Sequence, residues 1–141
     1  MASILIVEDE LDTADLWSMW FDQGGDRAVV APTAEEGLTF LQREPFDVVL
    51  MDLSLPGALT GLDATRYIRA TPALASVPVL LVTAYPLGEV REAARLAGVD
   101  GVVTKPVIDL EAFAGLVHHL IREGRAAAHP LLSLSRFPPK G

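Results

Sequence analysis

A single carboxylate stands at the end of a continuous apolar stretch in the middle of the chain. Residues 46–51 are Phe-Asp-Val-Val-Leu-Met, Asp52 follows them, and Pro56-Gly57 turns the chain soon afterwards. An apolar run between turn residues predicts a strand, and its lack of alternation predicts burial on both faces. A carboxylate at the carboxyl end of such a strand lies where α/β folds bind ligands, so Asp52 is the first candidate for chemistry. The alternative is an aspartate that only begins the turn.

Other polar residues share this position at the end of a predicted strand. They are Glu8 and Asp9 after the first strand, Thr83 at the end of the fourth and Lys105 at the end of the fifth. Crowded carboxylates repel one another, and one of them is driven toward protonation unless a cation intervenes. The Lys105 ammonium and a divalent metal are the two available cations. The structural alternative for the acidic pair is charge at the start of a helix, where the helix dipole favours it.

The donor set indicates which metal and which reaction would suit these residues. Oxygen ligands without His or Cys select a hard ion, Mg²⁺ first and Mn²⁺ next. A carboxylate, a hydroxyl and an ammonium around Mg²⁺ can stabilise a transferring phosphoryl group. A carboxylate can also attack phosphorus itself and form an acyl phosphate, and Asp52 is the natural nucleophile because it is the most isolated carboxylate.

Five strands and five helices are predicted to bring these residues together. The strands are predicted at 3–7, 27–31, 46–52, 78–83 and 100–104. The first helix is predicted to end near residue 23, and the second begins after the N-cap residue Thr33. The third and fourth helices are predicted at 61–70 and 87–97, and the fifth at about 109–124. Strict alternation predicts one doubly wound (βα)5 domain of the α/β class, with a five-stranded parallel sheet and helices on both faces. The strand order 2-1-3-4-5 would place the ends of strands one and three side by side.

Two helices carry more detailed expectations. Leu16, Trp17 and Trp20 are predicted to form the buried face of the first helix. The fourth helix offers mostly alanine to the core, so it is expected to be the least firmly packed.

Composition limits the class of protein. The chain has 141 residues, no cysteine and a net charge of −8 without a Lys/Arg cluster, which argues against nucleic-acid binding. The longest apolar run, 77–85, is too short to span a membrane, and no targeting signature begins the chain, so a cytoplasmic protein without membrane partners is expected. We expect one domain over 1–124 and a flexible or docking tail over 125–141, without an effector domain.

Four motifs now carry a resemblance. They are Ile-Leu-Ile-Val-Glu-Asp-Glu at 4–10, Val-Leu-Met-Asp-Leu-Ser-Leu-Pro-Gly at 49–57, Val-Thr-Ala at 82–84, and Gly-Val-Asp-Gly-Val-Val-Thr-Lys-Pro at 98–106. In this order and spacing the chain resembles the receiver domain of two-component response regulators, a flavodoxin-like family that includes the chemotaxis response regulator. The resemblance covers about residues 3–123.

The resemblance implies a role for each site residue. Asp52 would accept the phosphoryl group. Asp9, Asp52 and the Ser54 carbonyl would bind Mg²⁺ directly, with Glu8 acting through water. Thr83 and Lys105 would hold the phosphoryl oxygens, the bond before Pro106 would be cis, and Ser54, Ala84 and Tyr85 would tune the pocket. Thr83 would act in the switch with Val102, which occupies a position where the family usually has Tyr or Phe.

The resemblance also implies partners and leaves alternatives. A sensor histidine kinase or histidine phosphotransfer protein would donate the phosphoryl group, and the face of helix four, strand five and helix five would bind an unknown downstream protein or form a phosphorylation-dependent dimer. The chain would catalyse only its own phosphorylation and dephosphorylation. The main alternative is a pseudo-receiver that binds partners without phosphorylation. A flavodoxin-like cofactor binder and a Mg²⁺ phosphohydrolase are disfavoured, because Glu8, Asp9 and Glu10 would repel a flavin phosphate and no substrate-specifying cap is present.

Overall fold

Strands and helices alternate along the chain, as the sequence predicts. The computed structural model describes residues 1–125 and 132–134. The elements are β1 (Ser3–Val7), α1 (Leu11–Gln23), β2 (Arg27–Ala31), α2 (Ala34–Arg43), β3 (Val48–Asp52), α3 (Gly61–Ala70), β4 (Val79–Thr83), α4 (Leu87–Ala97), β5 (Gly101–Thr104), α5 (Leu110–Glu123) and β6 (Leu132–Leu134). None of the helices in this described part is both long enough and apolar enough to span a membrane.

One parallel sheet contains all the strands, in the order β2-β1-β3-β4-β5-β6. The predicted order 2-1-3-4-5 is confirmed. The sheet also has a sixth strand that the sequence analysis did not predict, because β6 falls within the stretch interpreted as a tail. The rest of that tail, 126–131 and 135–141, lies outside the described residues.

Helices cover both faces of the sheet and divide the core in two. On one face α2, α3 and α4 pack against side chains such as Val49 and Met51 of β3. On the other face α1 and α5 pack against Val48 and Leu50 of the same strand. Successive side chains of a strand point to opposite faces of the sheet. The division of the core therefore shows on which face the side chain of a residue just beyond the end of a strand lies. Every residue of β3 and β4 is buried, which explains their continuous apolar sequence.

The buried face of α1 differs from the predicted one. Trp17 is buried as expected, but Leu16 and Trp20 are 48% and 40% exposed. Phe21 takes the predicted place of Trp20, and the rings of Trp17 and Phe21 pack at 5.3 and 5.9 Å from the Phe113 ring of α5. Trp17 and Phe21 are four residues apart and therefore share a face, whereas Trp20 lies about 60° from Trp17 and about 100° from Phe21 around the helix axis.

The start of α3 is fixed against the end of β3. The Thr60 hydroxyl accepts from the Asp63 N–H at 3.1 Å, and the Asp63 carboxylate accepts from the Thr60 N–H at 3.0 Å, which is a reciprocal capping box. Gly61 follows, and its N–H donates to the Leu53 carbonyl at 2.9 Å. A Cβ on Gly61 would lie 2.0 Å from the carbonyl oxygen of Asp52, so only glycine allows α3 to begin here.

We predict that Gly61→Ala lowers the free energy of unfolding by about 2 kcal/mol, because the added methyl group forces the Asp52 backbone to move. Equilibrium urea unfolding measures the change. Gly115→Ala is the matched control: Gly115 lies exposed within α5 and a Cβ there meets nothing within 4 Å. The control should gain about 0.5–1 kcal/mol from helix propensity. Equal effects of the two substitutions would contradict the proposed close contact.

Candidate functional site

Three carboxylates meet at the carboxyl ends of β1 and β3. One carboxylate oxygen each from Glu8, Asp9 and Asp52 lies within 4.8 Å of the others. Val7 pairs in register with Met51, so the next residues of the two neighbouring strands, Glu8 and Asp52, are placed side by side. Glu8 is fully buried and Asp52 is 7% exposed, whereas Asp9 is exposed.

Lys105 joins the two buried carboxylates. Its ammonium forms a hydrogen-bonded ion pair with Glu8 and a second one with Asp52 Oδ2 at 3.2 Å. The Lys105 backbone N–H donates to the Thr83 carbonyl at 2.7 Å, which ties the end of β5 to the end of β4. The bond between Lys105 and Pro106 is cis.

Burial and charge perturb both members of the Glu8–Lys105 pair. Burial raises the pKa of Glu8, and the charge of Asp52 raises it further against the opposing effect of Lys105. Burial lowers the pKa of Lys105, but its hydrogen bond to Glu8 and the charge of Asp52 outweigh burial and leave that pKa above the ordinary value. The ammonium therefore stays charged at neutral pH, and it is the cation that makes two adjacent buried carboxylates tolerable.

The three carboxylates differ in how much of their hydrogen-bonding capacity the protein uses. Glu8 Oε1 binds Lys105, and Glu8 Oε2 accepts from the Glu10 N–H at 3.3 Å. Both oxygens of Glu8 thus have protein partners, which suits a residue that acts on a metal through water. Asp9 is open to solvent, which suits a direct metal ligand.

The site lies on the α1–α5 face of the sheet. Glu8, Asp52 and Lys105 each come two residues after a side chain that packs on this face, namely Ile6, Leu50 and Val103. Trp17 of α1 lies beneath them, with Lys105 Nζ 5.9 Å from the centre of the Trp17 ring. The sequence analysis assigned Trp17 only to the core. Its position four residues before Phe21 gives no signal that it also borders the site.

Thr83 ends β4, the strand next to β3, and comes two residues after Leu81, which packs on the opposite face of the sheet. It is 1% exposed, and its hydroxyl accepts from the Tyr85 N–H at 3.1 Å. That hydroxyl keeps its own proton for donation. Ser54, Ala84 and Tyr85 are exposed on the loops at the rim.

Val102 and the histidines lie away from the site. Val102 is 1% exposed and packs in the core shared with α4. His118 pairs with Asp26 at 2.6 Å on the α1–α5 side, and His119 is on the same helix. His129 lies outside the described residues.

Comparison with known proteins gives the family. The family model described as "Response regulator receiver domain" matches residues 4–117. The chain belongs to the response regulator receiver domain family. The family prediction and the predicted fold are therefore confirmed, and the chain is a signalling module of two-component systems, whose receiver domains interact with histidine kinases and phosphotransfer proteins.

Individual relatives support this assignment. The receiver domain is 35% identical over 108 residues to the uncharacterized 14.6 kDa protein in the sodA1 3′ region of Leptolyngbya boryana, a match that covers 77% of this chain and 82% of that protein. It is 38% identical over 125 residues to the sensory transduction protein RegX3 of Mycobacterium tuberculosis, a match that covers 88% of this chain and 53% of RegX3. The chain thus spans about half the length of RegX3.

A solved structure resembles this receiver domain closely. The receiver domain of the sensor histidine kinase PA1611 from Pseudomonas aeruginosa superimposes with a TM-score of 0.78 at 28% identity, covering 86% of this chain and 98% of that one. The PA1611 structure has a magnesium ion coordinated in its active site cleft. In the receiver domain described here, Glu8, Asp9 and Asp52 form an acidic cluster, an all-oxygen donor set that fits Mg²⁺.

We predict that Lys105→Met lowers the free energy of unfolding by about 2 kcal/mol at pH 7, because it leaves two buried carboxylates without a cation. The substitution should raise the pKa of Glu8 further, so the folded state takes up a proton that the unfolded state releases. Stability of the variant therefore falls as pH rises above the ordinary Glu value of 4.5. Urea unfolding should show a smaller loss at pH 5 than at pH 7.

The control for this prediction is the double variant Glu8→Gln, Lys105→Met, which removes the titrating carboxylate together with the ammonium. Its own stability should change less between pH 5 and pH 7 than that of the single variant, because no Glu8 carboxyl remains to titrate. If the single variant loses the same amount of unfolding free energy at both pH values, the assignment of Lys105 as the compensating cation is wrong.

Proposed function

We propose that this receiver domain, residues 1–124, is activated by phosphorylation of Asp52. The observation that carries the proposal is the Lys105 ammonium held beside Asp52 and next to the open carboxylate of Asp9. These groups place an anionic nucleophile between an ammonium and a cluster of carboxylates that could bind a metal cation. A phosphoryl group needs this combination, because its three oxygens gain or keep negative charge during transfer.

The phosphoryl group would come from a phosphohistidine of a sensor histidine kinase or histidine phosphotransfer protein. One Asp52 carboxylate oxygen attacks phosphorus and forms a P–O bond, while the P–N bond breaks and its electron pair returns to the imidazole, which takes up a proton. The signal ends by hydrolysis: water attacks the phosphorus of the acyl phosphate, the P–O bond to Asp52 breaks, and inorganic phosphate leaves. Beyond these two reactions of Asp52 we assign the chain no enzymatic activity.

Each neighbouring group has a part in this transfer. Asp9, Asp52 and the Ser54 carbonyl would hold Mg²⁺ (or Mn²⁺), with Glu8 acting through water. The bound metal would neutralise charge on the phosphoryl oxygens. Lys105, paired with Asp52, would contribute a second positive charge. Thr83 has a hydroxyl proton to donate once it turns toward the site, because its present hydrogen bond uses the oxygen only as an acceptor.

Exposed apolar side chains beside the site suit a protein donor. Leu11 follows the acidic run and is 65% exposed, and Ile108 follows Pro106 and is 71% exposed. Leu11 is the first residue of α1 and Ile108 lies on the loop before α5, both at the carboxyl edge of the sheet, so a partner that reaches Asp52 can bury them. We place this encounter in the cytoplasm, and we place the output on the face of α4, β5 and α5, where a downstream protein or a phosphorylation-dependent dimer would form.

A phosphorylation-independent pseudo-receiver is the second candidate. The observation in its favour is Val102, a β-branched side chain buried in the core that has no room to exchange between two positions. The complete set of Asp9, Asp52, Thr83 and Lys105 favours phosphorylation, because a binding module has no need for all four at one rim.

We predict that Asp52→Asn abolishes phosphate incorporation from acetyl phosphate with Mg²⁺, because the amide cannot act as the nucleophile. Mass spectrometry of the intact chain measures the added phosphate. Asp12→Asn removes the same charge from exposed residue 12 in the first turn of α1 and should leave labelling unchanged. Labelling that persists in Asp52→Asn would move the phosphorylation site elsewhere, and absence of labelling in the wild type would favour the pseudo-receiver.

We also predict that Asp9→Asn weakens Mg²⁺ binding at least about tenfold, because one charged ligand of a hard cation is lost. Trp17 can report the titration, since its ring lies 5.9 Å from Lys105 Nζ, and Trp20→Phe removes the signal of the other tryptophan. Asp12→Asn in the same background is the control. An unchanged titration in Asp9→Asn would refute its assignment as a direct ligand.

A further inference from the structure

The loop between β3 and α3 begins directly after the proposed nucleophile. Residues 53–60 connect Asp52, the last residue of β3, to Gly61, the first residue of α3. The Gly61 N–H donates to the Leu53 carbonyl at 2.9 Å, which closes the loop at its base. Ser54, whose carbonyl the proposed function assigns to the metal, lies just inside this closure. The path of the loop therefore decides where that carbonyl stands relative to Asp52.

Apolar packing holds only part of this loop. Leu53, Leu55 and Leu59 are half-buried and pack against the core on the face covered by α2, α3 and α4. Residues 56–58, which lie between them at the tip of the loop, are exposed. An exposed turn gains little from apolar burial, so its position depends on polar contacts.

A carboxylate from α2 supplies such a contact. Glu35 lies in the first turn of α2, and its Oε1 accepts from the Leu59 N–H at 3.1 Å. Its Oε2 lies against Gly57, because a Cβ on Gly57 would be 2.8 Å from that oxygen. Gly57 also has a φ of +98°, a conformation that favours glycine. One carboxylate therefore contacts the tip of the loop on both sides of Ala58.

The start of α2 does not require this contact. The N-cap of the helix is Thr33, whose hydroxyl accepts from the Glu36 N–H at 3.1 Å. Glu35 and Glu36 are both exposed and both place a negative charge in the first turn, where the helix dipole favours it. In the part of the chain that the structure describes, only the Glu35 carboxylate of this pair forms a hydrogen bond to the loop. Charge at the helix start therefore does not account for the direction of the Glu35 side chain.

We propose that Glu35 is a positioning residue for the metal site at Asp52. By fixing the loop at Gly57 and Leu59 it keeps the Ser54 carbonyl where Mg²⁺ can bind it, although Glu35 itself touches neither the metal nor the phosphoryl group. A loop that is already ordered loses less conformational entropy when the metal binds, and the affinity is higher for that reason. The proposal rests on the proposed function in assigning the Ser54 carbonyl to the metal.

Titration of three variants of the full chain with Mg²⁺ tests the proposal, with Trp17 fluorescence as the signal in the Trp20→Phe background. Glu35→Asp keeps the charge but is one methylene shorter and cannot reach the Leu59 N–H, so it should weaken Mg²⁺ binding about tenfold. Glu35→Gln loses the charge but keeps an oxygen acceptor at the same reach. Glu36→Gln is its matched control, since it loses the same charge from the same helical turn, and the two should bind Mg²⁺ within about twofold of each other.

Amide hydrogen exchange, measured by NMR on the same variants without Mg²⁺, tests the contact itself. The Leu59 N–H should exchange about tenfold faster in Glu35→Asp than in the wild type, and at the wild-type rate in Glu35→Gln and Glu36→Gln. Urea unfolding should give all three variants nearly the wild-type stability, because both glutamates are exposed. A merely structural role of Glu35 would instead lower the stability of Glu35→Asp and leave the Mg²⁺ affinity of the folded chain unchanged.

Two results would overturn the proposal. One is equal Mg²⁺ affinity of Glu35→Asp and the wild type. The other is an affinity of Glu35→Gln as low as that of Glu35→Asp, since the hydrogen bond would then not be the cause. Neither result depends on phosphoryl transfer. A wild-type chain that binds Mg²⁺ but is not labelled by acetyl phosphate would refute the proposed function and leave the comparison of Glu35 variants valid. Failure of that comparison would leave the labelling of Asp52 unaffected.

Discussion

The ion pairs of Lys105 with Glu8 and Asp52 are the interaction on which the site depends. Two carboxylates that are almost inaccessible to solvent lie on neighbouring strands, and water cannot screen their repulsion. The ammonium makes this arrangement stable, yet it leaves Asp52 at the rim and Asp9 in solvent. A phosphoryl group or a metal bound at Asp52 and Asp9 would therefore meet charges that are already in place. Little reorganisation is needed, which is the condition for effective electrostatic stabilisation.

The sequence predicted this site because strand ends follow simple rules. Apolar runs ended at Val7, Met51 and Val82, and parallel strands bring such ends to one edge of a sheet. The order of the strands and the bounds of most elements were predicted for the same reason. The rotation of α1 was not, since Trp20 and Phe21 are both apolar and only packing against Phe113 decides between them. Contacts such as that between Gly61 and the Asp52 carbonyl depend on the path of a loop, which carries no periodic signal.

Strand β6 was missed for a different reason. The strand has only three residues, 132–134, and it lies among prolines in the sequence, so neither length nor composition indicates a strand there. The signal that the sequence does contain is Arg125. Arg125 follows Gly124, which ends α5, and it donates to one oxygen of the buried Asp100. This role can be recognised only when Asp100 is known to be buried and to need a donor for that oxygen. Burial of a carboxylate is a tertiary property, and single-sequence patterns do not supply it.

Strand β5 is held by ionic groups at both ends, and this bears on how a signal leaves the site. At its start Asp100 binds Arg69 and Arg125, where burial lowers the pKa of Arg69 to about 10, still high enough to keep the guanidinium charged. At its end Lys105 binds Glu8 and Asp52. Val102 between them is buried and has one preferred rotamer, so a rotating side chain at that position cannot carry the change. The backbone of β5 remains as the element that both ends share. A new charge on Asp52 would therefore act on β5 through its ion-pair partner Lys105.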